Sequence, residues 1–177
     1  MANRSYLYSA DSMPNDAGIP KQIRCVSEHN WDIPLAHKIM VGRGTTIVPS
    51  MIWNPPIGIA ADYAGGAALL LDLLHAVGKG LEDDAEFAEC VARTTAHLEK
   101  QQAEYFVLET GEIVSMSGDD PVESVRRLAS EGIPAAVAKA EAAIAAEDEE
   151  WLASVRADWQ NHFASFYSEA LYFSFPD

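Results

Sequence analysis

Residues 4–10, "RSYLYSA", are aromatic and alternate, with Tyr6 and Tyr8 set apart from Ser5, Leu7 and Ser9. A period of two marks a half-buried strand. The segment "DSMPNDAGIPK" that follows is rich in Pro, Gly, Asp and Asn, and reads as a loop. "QIRCVS" (22–27) then reads as a second short strand. Short β runs of this kind recur among helical patterns. "TTIVPSMIW" (45–53) is β-branched and apolar, with Pro49 marking an edge strand or a break. "IGIAA" (57–61) reads as a short buried strand. "EYFVLETGEIVSM" (104–116) reads as a hairpin whose two apolar strands flank Thr110 and Gly111. "ALYFSF" (170–175) alternates like the first strand and reads as a terminal strand able to pair with it.

The helices carry their own start and stop signals. Asp32 is placed as an N-cap, Pro34 falls in the first turn, and Gly42 marks the stop. Asp62 can cap a helix over roughly 63–78, whose face runs Ala67, Leu70, Leu71, Leu74 and Val77. Asp83 and Glu86 have capping-box spacing ahead of "AEFAECVARTTAHLEKQ", with Phe87, Val91 and Leu98 facing inward. Asp120, Pro121 and Glu123 start another helix, and Gly132 stands at its end. Val137, Ala140, Ile144, Trp151, Val155 and Trp159 recur at helical spacing over 134–166, as one long helix or two in series.

These patterns predict one α+β domain. An antiparallel-rich sheet of about four to six strands is covered by helices. A long acidic C-terminal helix packs across the sheet through Trp151, Val155 and Trp159. The domain divides into a sheet-rich part (1–118), a helical acidic part (119–166) and a closing strand (167–177).

Charge is distributed unevenly. The formal charge is −15. Residues 1–80 hold six acids and six bases, whereas residues 81–177 hold 21 acids and six bases, so the whole excess lies in the second half. Such a field disfavours nucleic acid and anionic lipid and speeds encounter with a basic partner. Cys25 and Cys90 are far apart and form no CxxC, which fits reduced, buried thiols. The N-terminus has no apolar core of signal-peptide length, and Asp72 interrupts the longest apolar run, "AALLLDLL". A cytoplasmic protein is expected.

The stretch "SEHNWDIPLAHK" (27–38) is the densest in candidate ligands. His29 and His37, with Glu28 or Asp32, could reach a metal, but the stretch holds no HExxH and no histidine pair four apart. His75, His97 and His162 are lone helical histidines at apolar boundaries, outside any local triad pattern. "VGRG" and "AGG" match neither a P-loop nor GxGxxG. Asp62 would repel an anion at the start of its helix, so these glycines read as close packing. No DxDxDG calcium loop is present. Glu82-Asp83-Asp84 and Asp119-Asp120 are explained by helix capping. Glu147-Asp148-Glu149-Glu150 would be repelling like charges in mid-helix, and a docking surface for a basic protein would use them.

"MANRSYLYS", "SEHNWDIPL", "SMIW", "IGIAADYAGGAALLLDLL", "YFVLETGEI" and "LYFSF" together resemble a family of small bacterial cytoplasmic proteins of unassigned function. Its members open with an NRSYLYS-type strand and a SEWNYDIPL-type motif. The resemblance spans most of the chain and loosens after residue 118. His29 stands where the family motif usually has an aromatic, which turns "NWDIPL" toward packing and capping rather than metal binding. The family brings no catalytic residues. By analogy, small acidic domains of this kind are similar to the immunity proteins of polymorphic-toxin systems, which occlude a toxin's active site.

The expected function is therefore binding and inhibition of a basic protein partner, without catalysis, metal or cofactor. The partner-binding residues would be Glu147, Asp148, Glu149 and Glu150, with Asp119 and Asp120 as secondary contacts. The alternative is a small metal-dependent or histidine-based hydrolase or transferase with a dispersed site at His29, Asp32 or His37.

Overall fold

The computed structural model describes residues 3–53 and 57–164. Five strands form one sheet in the order β2-β1-β5-β4-β3: β1 (Arg4–Ala10), β2 (Ile23–Asn30), β3 (Thr46–Val48), β4 (Gly58–Asp62) and β5 (Tyr105–Glu109). Every neighbouring pair is antiparallel. Alternation along the strands divides the side chains between two faces. Leu7, Val26, Ile59, Ala61, Phe106 and Leu108 point into the main core. Tyr8, Ala10, Ile23, Cys25, Val48, Ala60 and Val107 form a smaller cluster on the other face, with Met13 and Met51 from two loops packed on it.

The helices lie on the main-core side. α1 (Leu35–Met40) and α2 (Tyr63–Gly78) pack against each other, and Leu70, Leu73 and Leu74 of α2 are fully buried. Burial of each such side chain contributes about 1.5–3 kcal/mol. Gly66 lets the two helices meet, because a Cβ there would run into the backbone carbonyl of Met40. The glycines of "DYAGG" are thus a packing device, and the Asp62 carboxylate caps α2 by accepting from the Gly65 N–H at 2.6 Å. α3 (Ala85–Lys100) follows. Then come α4 (Gly111–Val114), α5 (Pro121–Arg127), α6 (Ile133–Ile144) and α7 (Glu149–Ala157), giving seven α-helices among the described residues.

Several expectations need correction. Residues 104–116 are not a hairpin. Only 105–109 form a strand, and β1 and β4 occupy both of its edges, so no place remains beside it for a second strand. Residues 111–114 coil into one helical turn instead, with the Trp53 ring lying on Gly111. A Cβ at that position would sit 2.6 Å from the ring's Cδ1. The N-cap position of α1 is Pro34, not Asp32; the Asp32 carboxylate takes the Ile33 N–H at 2.6 Å. A residue before proline is disfavoured in helical geometry, so Ile33 stays outside and delays the helix. The α3 cap is Asp84, one residue after the expected Asp83, and its carboxylate accepts from the Phe87 N–H at 2.9 Å.

Gly132 does not end a helix. The chain runs on through a π-helical turn at Leu128–Gly132 into α6, with Gly132 itself in right-handed helical geometry. The wider turn accommodates Pro134, which lacks an N–H and crowds the preceding turn of a regular helix. The described residues do not form one long acidic C-terminal helix. α6 stops in a Schellman motif, in which the Glu147 N–H donates to the Ala142 carbonyl and the Ala146 N–H to that of Ala143. Ala146 there holds φ +59. α7 then rests on α2 and α6 rather than crossing the sheet. Its end is pinned by Trp159, whose ring meets Phe87 of α3 edge-on at 5.1 Å between centroids. The expected strand at 170–175 lies outside the described residues, and both edges of β1 are taken by β2 and β5.

Candidate functional site

The break between α6 and α7 gives Glu147–Glu150 a different setting. They stand at a helix N-terminus, not in mid-helix. Asp148 caps α7, its carboxylate accepting from the Trp151 N–H at 3.1 Å, and it pairs with Lys139 at 2.8 Å. That lysine holds the Asp148 carboxyl below its ordinary range. Glu149 and Glu150 occupy the first turn, where the helix dipole favours acids. The repulsion expected for a mid-helix run is thereby offset locally. Glu147, Glu149 and Glu150 remain exposed.

Arg156 ties this region to a second acidic segment. Its guanidinium meets Glu149 at 3.2 Å, donates to the Val77 carbonyl at 3.0 Å and packs over Gly80. Gly80 leads directly into Glu82 and Asp83, both exposed. Asp84 and Glu86 of the same stretch accept from the side chains of Trp159 and Gln160. Arg156 therefore touches Glu149 on one side and Gly80, two residues before Glu82, on the other. The pattern was invisible in sequence because capping alone accounted for 82–84. Asp119 and Asp120 are not part of this surface. Asp120 caps α5 through the Val122 N–H at 2.9 Å. Asp119 shares a shallow hollow with Gly132 and Ala135, at the N-terminal end of α6. Glu147–Glu150 follow the opposite end, and a twelve-residue helix is about 18 Å long.

The "SEHNWDIPLAHK" stretch splits between core and surface. His37 is fully buried, with Nδ1 2.9 Å from Ser5 Oγ and Nε2 2.9 Å from Ser27 Oγ. Burial pushes its pKa down to about 3, with His29 adding to the effect. A neutral imidazole has one donor and one acceptor, and two hydroxyls satisfy both. His37 is a core histidine that bridges β1 and β2. His97 is similar, with Nε2 donating to the Val26 carbonyl at 2.8 Å. Burial lowers its pKa as well. Among the described residues no group of three or more His, Cys, Asp or Glu could hold a metal ion. Cys25 and Cys90 are free, and burial raises both thiols, Cys25 to about 12.

The rest of the stretch opens onto a groove of about 620 Å³. His29, Asp32 and Lys38 form one wall, Lys139 of α6 another, and Trp151, Asp158 and His162 the third. Burial lowers the pKa of both His29 and His162, each opposed by its aspartate, Asp32 or Asp158. Only the fold brings 29–38 and 158–162 together, and the sequence reading passed over Lys38, Lys139, Asp158 and Asn161.

A further polar centre lies on the opposite face of the sheet. Glu109 is buried on β5, where its carboxylate accepts from Ser50 Oγ at 2.6 Å and the Met51 N–H at 2.7 Å. Burial raises its pKa against those two hydrogen bonds. It anchors a turn that leaves Ile52 and Trp53 exposed.

Residues 11–155 match the model of a family described as Domain of unknown function (DUF7822). The chain belongs to that family. The DUF7822 match begins just after β1 and ends within α7. It takes in His29, Asp32, Lys38, Lys139 and both acidic segments, and it stops short of Asp158 and His162. No curated protein and no solved structure matches this DUF7822 chain. Among the described residues no helix is long and apolar enough to cross a membrane.

Proposed function

We propose that this chain binds and inhibits a basic protein partner, in the manner of immunity proteins that cover the active site of a cognate toxin. The observation that carries this reading is that Arg156 bridges the start of α7, where Glu147, Glu149 and Glu150 are exposed, to Gly80, which leads into the exposed Glu82 and Asp83. It gives the excess charge of the second half a local concentration. Exposed acids on neighbouring elements raise on-rates toward a cationic surface, and partly desolvated pairs to Arg or Lys then set orientation. Glu147, Glu149 and Glu150 are the principal contacts in this reading, with Glu82 and Asp83 beside them. Asp148 serves the fold as cap and ion pair, while Asp119 and Asp120 would touch only a partner large enough to span α6.

The test is association kinetics with the partner across ionic strength. Glu147→Ala, Glu149→Ala and Glu150→Ala combined should slow association about tenfold at low salt and flatten its salt dependence. Asp148 is left in place, because loss of the cap would cost about 1 kcal/mol of helix stability and confuse the result. An unchanged on-rate and salt slope would refute the surface assignment.

A further inference from the structure

The groove between α1, α6 and α7 differs from the acidic surface in its charge. Its lining holds Asp32 and Asp158 together with Lys38 and Lys139, charges of both signs within a chain of −15. Its floor is apolar, with Pro34, Ala136, Val155 and Trp151 between the charged groups. About 620 Å³ is within the ordinary range for small-ligand sites.

Three departures from regular backbone border the groove. Trp31 precedes Asp32 at φ +70, a conformation that costs a non-glycine residue stability. Gly132 closes the π-helical turn 128–132, and Asn161 and His162 belong to a second one at Gln160–Ala164. Irregularities of this kind gather where a site needs side chains aimed off the regular lattice. Here they converge from three separate segments on one concavity.

We propose that the groove binds a dipolar small molecule, a short peptide or amino acid carrying both an ammonium and a carboxylate. The carboxylate is met by Lys38, the ammonium by Asp32 or Asp158, and the apolar body lies over Pro34 and against Trp151. Lys139 is committed to Asp148 at 2.8 Å and shapes the wall. A purely cationic ligand would meet Lys38, and a purely anionic one would meet the two aspartates. The presence of both signs therefore favours a molecule with both ends.

The probe is the dipeptide leucylphenylalanine, compared with its N-acetyl form and its C-terminal amide. Binding is read from backbone amide shifts of the full chain. The free dipeptide should move resonances of 29–38, 132–139 and 151–162, and each blocked form should bind about tenfold more weakly, as expected for loss of one charge-assisted contact. Lys38→Met should weaken the free and acetylated forms and leave the amide unaffected, a pattern that general destabilisation would not produce. Equal binding of all three forms, shifts elsewhere in the chain, or no shifts at millimolar dipeptide would overturn the proposal.

Discussion

The buried His37 makes stability depend on pH in a way that can be worked out from its surroundings. Its ring sits between Ser5 and Ser27 at 2.9 Å on each side, fully removed from water. A protonated ring would need two acceptors and would hold its charge away from water. The folded state therefore holds the imidazole neutral, its pKa moved from 6.5 to about 3. The unfolded chain takes up the proton freely below 6.5. This contribution to stability is intact above pH 6.5 and is lost progressively as pH falls toward 3. Each pH unit across that window is worth about 1.4 kcal/mol, so the loss at pH 5 is about 2 kcal/mol relative to pH 8. Urea unfolding at pH 8 and pH 5, followed by tryptophan fluorescence, measures it. His37→Gln keeps a donor and an acceptor but cannot titrate. It should be less stable at pH 8 yet lose about 2 kcal/mol less than the natural chain between the two conditions. His29, His97 and His162 are shifted the same way and stay in the variant, so the difference isolates His37. Should the variant fail to fold, the His37 ring protons of the natural chain supply the answer, and they should show no titration between pH 8 and pH 5. A midpoint near 6 would refute the account of a neutral bridging ring.

Two further substitutions test the packing and the helix break. Ala146→Gly should stabilise the chain by about 0.5–1 kcal/mol, because relief of a left-handed alanine exceeds the added chain entropy of glycine. A lowered thermal midpoint would count against the Schellman stop. Gly66→Ala should cost about 1–3 kcal/mol by forcing α2 away from Met40, and an unchanged midpoint would show that the two helices do not meet so closely.

Much of the fold was legible from local chemistry. Alternation located β1, short runs at 22–27 and 57–61 located β2 and β4, and the side-chain caps of Asp62 and Asp120 located two helix starts. The failures share a cause, since each depended on what lies beside a segment. The apolar run 112–116 resembles a strand until β1 and β4 occupy both edges of β5. Gly132 resembles a stop until a π-helical turn carries the chain past it. Residues 146–150 resemble mid-helix until Ala146 turns left-handed and Asp148 becomes a cap, a role alanine signals poorly and glycine would have announced. The groove was the least legible feature, because His29 and His162 are brought to one concavity only by packing of α1 against the C-terminal helices.

The proposed binding to a basic protein is tested most directly by retrieving the partner. The tagged chain and its Glu147→Ala, Glu149→Ala, Glu150→Ala variant would be used as baits in native extract, washed at low and then high salt, with bound proteins identified by mass. The account predicts one stoichiometric basic protein, retained at low salt, weakened at high salt and depleted on the variant, whose toxicity the chain suppresses on co-expression. No partner at any salt, or one held equally by both baits at both salts, would contradict it and leave the acidic surface as a solubility device.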